Sequence, residues 1–240
     1  MSTNFSYTIH PEIFQDYPEY RRGVVVFTDL DNSQPDAGLT ALLRASEAAL
    51  RERITGNPAE YPQIAAWRDA YRRFGAKPSE HRSAIEALSR RVLKPDTLPD
   101  INPLVDIGNL LSLRYVLPAG VHPIGAQSQE ICLRKAAEAD GFLADPGKAP
   151  ESIAAGEIVL AAGQRVLTRR WTWRQAADTR TLADTSCVFF DIDGLPPTSR
   201  ADVESAVADV VALVGRYCGG RCVGQAVLDA AQPSMQIALD

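Results

Sequence analysis

The order of hydrophobic periods along the chain narrows its architecture more than any other feature. Between residues 39 and 115 apolar residues recur at helical spacing, whereas from 131 to 192 they gather in short runs divided by Gly, Pro and Asp. Segregation of this kind favours an α+β fold over regular βαβ alternation. The expected architecture is a mixed or sandwich-like β core with helices packed outside. No repeat, low-complexity tract or long linker divides residues 1–240, so a single domain is the simplest account, and the length is ample for one real core.

Residues 23–30, GVVVFTDL, read as a buried strand. Helices are predicted over 39–54, stopped by Gly56-Asn57-Pro58, over 64–74, ended by Gly75, and from Ser79 to Lys94 with Pro95 just beyond. Further strands are predicted over 131–135, 157–160, 165–172 and 187–192, then a helix over 200–217 and a strand near 235–239. Asn102-Pro103 makes a good helix start, because proline in the first turn gives up a donor that had no intrahelical partner. Beyond it Asp106, Asn109 and Ser112 are spaced three apart and fall along one side of an otherwise apolar helix. Such a stripe needs partners, either in a packing network or in a cavity.

Several chemistries are set aside. Cys218 and Cys222 lack further metal ligands nearby and have the wrong spacing for a two-residue-gap redox pair. Gly219-Gly220 follows a helix rather than opening one, so no phosphate cradle is expected, and no Gly-x-Ser-x-Gly elbow occurs. His10, His81 and His122 are too far apart to predict a shared metal or nucleophile-activating site. No cofactor and no metal are therefore expected. Asp191 and Asp193 share a strand face, with Asp193 read as a turn residue before Gly194-Leu195-Pro196-Pro197. No apolar run is long enough to span a membrane, the first residues do not read as a secretory signal, and the four cysteines are sparse, so a cytoplasmic protein is expected. A net charge of −5 argues against an extended grip on nucleic acid, although Arg72-Arg73 and Arg169-Arg170 are local basic pairs.

Two stretches carry a family resemblance. Residues 101–109, INPLVDIGN, are similar to the I-N-x-x-V-D-x-T-N run of the tRNA-editing (B-three/B-four) domain in the phenylalanyl-tRNA synthetase beta subunit. Residues 181–191, TLADTSCVFFD, resemble its T-x-x-T-x-x-V-x-L-E run. The chain also resembles stand-alone bacterial proteins built from this domain, through Trp67, Tyr71 to Gly75, Glu86 to Leu88, Glu157 and Thr168 to Gln175. The ordered motifs cover residues 23–220.

The resemblance implies a pocket that discriminates an amino acid esterified to tRNA and hydrolyses the ester, with tRNA or aminoacyl-tRNA as partner. It implies a substrate-binding set of Asp106, Asn109, Ser112, Trp173, Arg174, Gln175, Thr181 and Asp191, and names no catalytic residue. Asp191 stands where the family has a hydroxyl-reading glutamate, Gly108 where it has threonine, and His122 lies two positions late relative to its histidine. Arg174 is the expected contact to the tRNA end; Trp171 and Trp173, two apart on a strand, read either as a stacking surface or, as is commoner for tryptophan, as core packing. Three readings stay open: a trans-acting hydrolase, a binding module that keeps the pocket without turnover, and a structural or regulatory protein that keeps the fold. Either pocket reading requires Asp106 and Asn109 to share one cleft with Trp173, Arg174 or Gln175.

Overall fold

A computed structural model describes residues 4–94, 97–125 and 129–239. Pro95, the expected helix stop, lies outside the described residues. Among the described residues the elements run β1 (Asn4–Ile9), α1 (Pro11–Asp16), β2 (Arg21–Thr28), α2 (Ala37–Arg53), α3 (Pro62–Arg73), α4 (Ala84–Val92), α5 (Pro103–Tyr115) and β3 (Ala119–Pro123). There follow β4 (Gln129–Lys135), β5 (Gly141–Phe142), β6 (Glu151–Ser152), β7 (Ile158–Ala162), β8 (Arg165–Arg169), β9 (Arg174–Gln175) and β10 (Val188–Gly194). The chain then forms α6 (Arg200–Tyr217), β11 (Arg221–Leu228) and β12 (Ser234–Ala238).

The strands make two sheets. One is mixed, in the order β12-β1-β4-β7-β8-β5-β6, with β9 branching from β8. The other, β11-β2-β10-β3, is antiparallel throughout. The fold is α+β, as the segregated periods predict. Apolar side chains of both sheets and of α2 to α6 share one large buried cluster, in which Phe5 and Tyr7 of β1 meet Phe189 of β10 at ring separations of 5.3 and 5.7 Å. α6 lies close on β2 because Gly23 has no side chain: a Cβ there would meet Val207 at 2.5 Å.

The local chemistry follows the sequence at several helix ends. Asn102 caps α5 by accepting the Val105 N–H at 3.1 Å. Asp36 caps α2 through the Gly38 and Leu39 amides, and Ser199 with Asp202 closes a reciprocal capping box on α6. α4 starts later than expected, because Ser83 rather than Ser79 accepts the amide of Glu86 and serves as its cap.

Three other expectations are corrected. The strand predicted over 165–172 ends at Arg169, since Arg170 and Trp171 take positive φ values of 46° and 64°. That left-handed pair costs roughly 1–2 kcal/mol per residue and persists only where surrounding contacts impose it. Trp171 and Trp173 consequently do not share a strand face: Trp171 is fully buried and Trp173 half-exposed. Asp193 is not a turn residue but a buried member of β10. β1, β3 and β11 escape the sequence reading altogether.

The contacts imposing the turn can be named. Glu157 binds the Arg169 guanidinium in bidentate fashion, both bonds 2.9 Å, and accepts the Arg170 N–H at 3.1 Å. Trp171 then drops between Tyr17, Tyr20 and Trp67, edge-on at centroid distances of 4.8, 4.8 and 5.1 Å, and donates its indole N–H to the Tyr20 hydroxyl at 3.3 Å. Trp171→Ala is expected to destabilise the fold by about 3–5 kcal/mol. Urea denaturation of the two proteins checks this, and a loss below ~1 kcal/mol would show that the aromatic cluster does not hold the turn.

Candidate functional site

β10 positions the chemistry. Asp191 and Asp193 lie two apart and so project from one face of the strand, and both are nearly fully buried. Arg22 of β2 answers them: its Nη2 lies 3.1 Å from Asp191 and 3.0 Å from Asp193. Arg22 also donates to the Tyr7 hydroxyl, while the Tyr20 hydroxyl donates to Asp193. A buried ion is tolerated only with such pairing and hydrogen bonding.

β3 supplies the other flank, with Gly120 in register opposite Asp191. A Cβ on Gly120 would lie 2.4 Å from Asp191 Oδ1, so the carboxylate sits where only a bare backbone leaves room. His122 Nε2 lies 3.5 Å from Asp191 Oδ2, and its ring stacks on Phe189 with centroids 4.9 Å apart. Gln175 Nε2 lies 3.1 Å from His122 Nδ1 and donates to the carbonyl oxygens of Val121 and Thr179. The imidazole thus has the Gln175 amide at Nδ1 and the Asp191 carboxylate at Nε2.

These groups border a cleft of about 160 Å³, whose wall continues through Ala84, Thr168, Thr172, Trp173 and Arg174. An apolar cavity of about 150 Å³ holds a benzene ring, so this volume suits one small side chain rather than a nucleotide. Two buried atoms of its lining residues, Thr168 Oγ1 and Arg22 Nε, have no hydrogen-bond partner among the described residues. Such atoms are costly unless something else satisfies them.

The two carboxyl groups are driven apart. Burial pushes Asp191 up, but Arg22, His122 and the Gly120 amide outweigh it and hold the group below the ordinary carboxylate value. Burial and the Asp191 charge push Asp193 up, with Arg22 only partly opposing them. Asp191 is therefore held low while Asp193 is raised, a separation met where acid and base roles are divided.

The expected site residues divide. Trp173, Arg174, Gln175 and Asp191 line the cleft. Asp106, Asn109, Ser112 and Thr181 are not among the residues lining it. Asp106 accepts the Ile101 N–H at 3.1 Å, Ser112 Oγ accepts the Ala119 N–H at 3.1 Å, and Thr181 Oγ1 donates to the Val121 carbonyl at 3.2 Å. The polar side of α5 thus supports β3 from behind, and Asn109 sits half-buried on the same helix. Arg174 is exposed, donates to the Ala144 carbonyl at 3.1 Å and lies 3.6 Å from Asp145. Trp173 lies under the Arg170 guanidinium at 4.5 Å and against His81. Arg22, Gly120 and Asp193 are among the lining residues that the sequence reading did not place in the site, and His122 was related to the family histidine only at an offset. Their signal is an arginine opening a β-branched strand, which needs a carboxylate partner, and two carboxylates sharing a face elsewhere.

Comparison with known proteins gives two findings. The sequence profile of the B3/4 domain matches residues 66–219. Among solved structures, an N-terminal fragment of the phenylalanyl-tRNA synthetase beta subunit from Pyrococcus horikoshii is similar, with a TM-score of 0.47 and 11% identity. That likeness covers 94% of this chain and 55% of the other, so the chain spans about half the length of that fragment. No curated protein sequence matches the chain.

The Asp193 shift has a measurable sign. A carboxyl raised on folding binds protons more tightly in the folded state, so its contribution is fully present below 3.8 and is lost as pH rises through the raised value. Stability measured by urea denaturation is therefore expected to change less favourably with rising pH across that window in the wild type than in Asp193→Asn. Parallel pH profiles for the two proteins would show that Asp193 is not raised.

Proposed function

The chain belongs to the B3/4 domain family, and from that premise we propose that it acts in trans on misacylated tRNA, hydrolysing the aminoacyl ester. The observation that carries this reading is the small cleft with an ionised carboxylate, Asp191, beside Gly120 on its lining. A side chain entering it meets a carboxylate already held by Arg22 and His122. A hydroxyl-bearing residue adds a further donor there and an apolar ring adds none, so the cleft favours the hydroxylated side chain.

Ester hydrolysis asks little of the protein beyond geometry. The ester is already reactive, so binding the side chain, holding the carbonyl against donors and admitting one water can suffice without a protein nucleophile. In this reading Asp191 reads the hydroxyl, Gln175 and His122 keep the floor oriented, and Arg174 at the rim faces the tRNA end. The unpartnered Thr168 hydroxyl is the natural donor to the aminoacyl group. Asp106, Asn109, Ser112 and Thr181 act at one remove, by fixing α5 and β3. The place of action is the cytoplasm, where charged tRNA is found.

One observation favours a second reading. His122, Asp191 and Asp193 are nearly fully buried and already engaged with one another or with Arg22, so a general base free to take a proton from water is not evident. A module that binds the aminoacyl end without turnover would need none.

The deciding experiment presents purified protein with a panel of correctly and incorrectly charged tRNAs and follows release of the amino acid. Hydrolysis is expected for esters of a hydroxyl-bearing amino acid. Asp191→Ala is expected to lower discrimination against the hydroxyl-free analogue at least about tenfold, roughly 1.4 kcal/mol, with a smaller change in rate. Binding without release selects the second reading, and neither binding nor release anywhere in the panel refutes both.

A further inference from the structure

The chain is acidic overall, yet residues 68–94 carry eight Lys or Arg against three Asp or Glu. The three acids are already engaged: Asp69 with Arg72, Glu80 with Lys77, and Glu86 with several arginines. Glu86 is the informative one. It is fully buried on α4 and accepts from Arg68 at 2.7 and 2.9 Å and from Arg90 Nε at 2.9 Å, with Arg82 Nε at 4.0 Å. One carboxylate thereby holds three guanidinium groups, and most of their positive charge is left over.

Two of these three arginines border a surface hollow. Arg82, Arg90, Arg91 and Lys94 line a concavity of about 530 Å³ together with Gly56, Pro58, Ala87 and Leu93, and no acidic residue lines it among the described residues. The hollow adjoins the cleft. His81 packs on Trp173 of the cleft wall, Arg82 follows it in the chain, and Ala84 lines the cleft itself. From Ala84 to Arg91 the helix advances roughly 10 Å, about the rise of three stacked nucleotides.

We propose that the α4 hollow is the docking surface for the phosphodiester backbone of an RNA strand whose 3′ end enters the cleft. Three of the four cations lining the hollow are arginines, whose planar donor forks match phosphate oxygens, and Glu86 arranges two of them, Arg82 and Arg90, in advance. The short span explains how an acidic protein engages RNA: it meets a few phosphates near one end rather than tracking a duplex. This assignment deepens the hydrolase reading by locating the partner of the same cleft, and its test separates the two.

Arg91→Gln/Lys94→Gln is the informative variant, because neither side chain binds Glu86 and the core is left intact, which a thermal melt verifies. Fluorescence anisotropy with an unacylated tRNA transcript, and with a short single-stranded RNA matching its 3′ end, is read across a salt series. The variant is expected to bind both at least about fivefold more weakly, with the salt slope reduced by roughly 1.4 for two lost single-strand contacts. Hydrolysis of a small aminoacyl-nucleoside ester, too short to reach the hollow, is expected to stay at the wild-type level. Unchanged RNA affinity and slope would overturn the assignment, as would equal competition by polyglutamate, which would mark a surface for acidic polypeptides. RNA binding that depends on Arg91 and Lys94 in a protein that hydrolyses no ester would keep the surface and refute the hydrolase.

Discussion

Arg22 is the constraint on which the site is built. It comes from the first residues of β2, ahead of the apolar run Val24 to Phe27, and reaches two carboxylates on β10 and a phenol on β1. Removing one member of such a buried set leaves an uncompensated charge, at a cost of about 3–5 kcal/mol. The set also ties both sheets together, since Tyr7 belongs to the mixed sheet and Arg22, Asp191 and Asp193 to the antiparallel one. Both carboxylates of the cleft, including the one His122 faces, rest on a guanidinium that is itself almost inaccessible.

The opposite wall is set by a second ion pair working through the backbone. Glu157 grips Arg169 and the Arg170 amide at the point where β8 gives way, and the chain turns through two left-handed residues. Trp171 goes inward and Trp173 outward, so Thr172, Trp173, Arg174 and Gln175 are delivered along one side of the cleft. The strain of the turn is offset by the aromatic packing of Trp171 and by the bidentate pair.

The legible parts of the fold were those governed by local chemistry. The helix start at Asn102 and the helix periods of α2, α3, α5 and α6 follow from nearest neighbours in sequence, and so are readable there. The strand break at Arg169 is not, because Glu157, twelve residues away, causes it. Nor was the assignment of polar residues to the cleft. The Asp106–Ser112 stripe looked like a pocket lining because buried polar atoms need partners, but backbone amides of Ile101 and Ala119 meet that need for its two ends. The motif around Asp191 did point to the cleft, whereas Arg22 and His122 become visible only when β2, β3 and β10 are laid side by side.

β2 lies inside its sheet, paired with β11 on one side and β10 on the other, and nearly every residue along it is buried. Segments of that kind open only when the whole molecule does, whereas a two-residue strand such as β9, exposed at Arg174, can fray alone. The floor of the cleft and its rim therefore belong to different classes of motion. Amide exchange around Arg22 is bounded by the global unfolding equilibrium, and exchange near Arg174 by a far smaller excursion. A visiting group would thus meet a yielding entrance above a base that does not adapt, so rejection at the bottom is a matter of fixed chemistry and not of fit achieved on arrival.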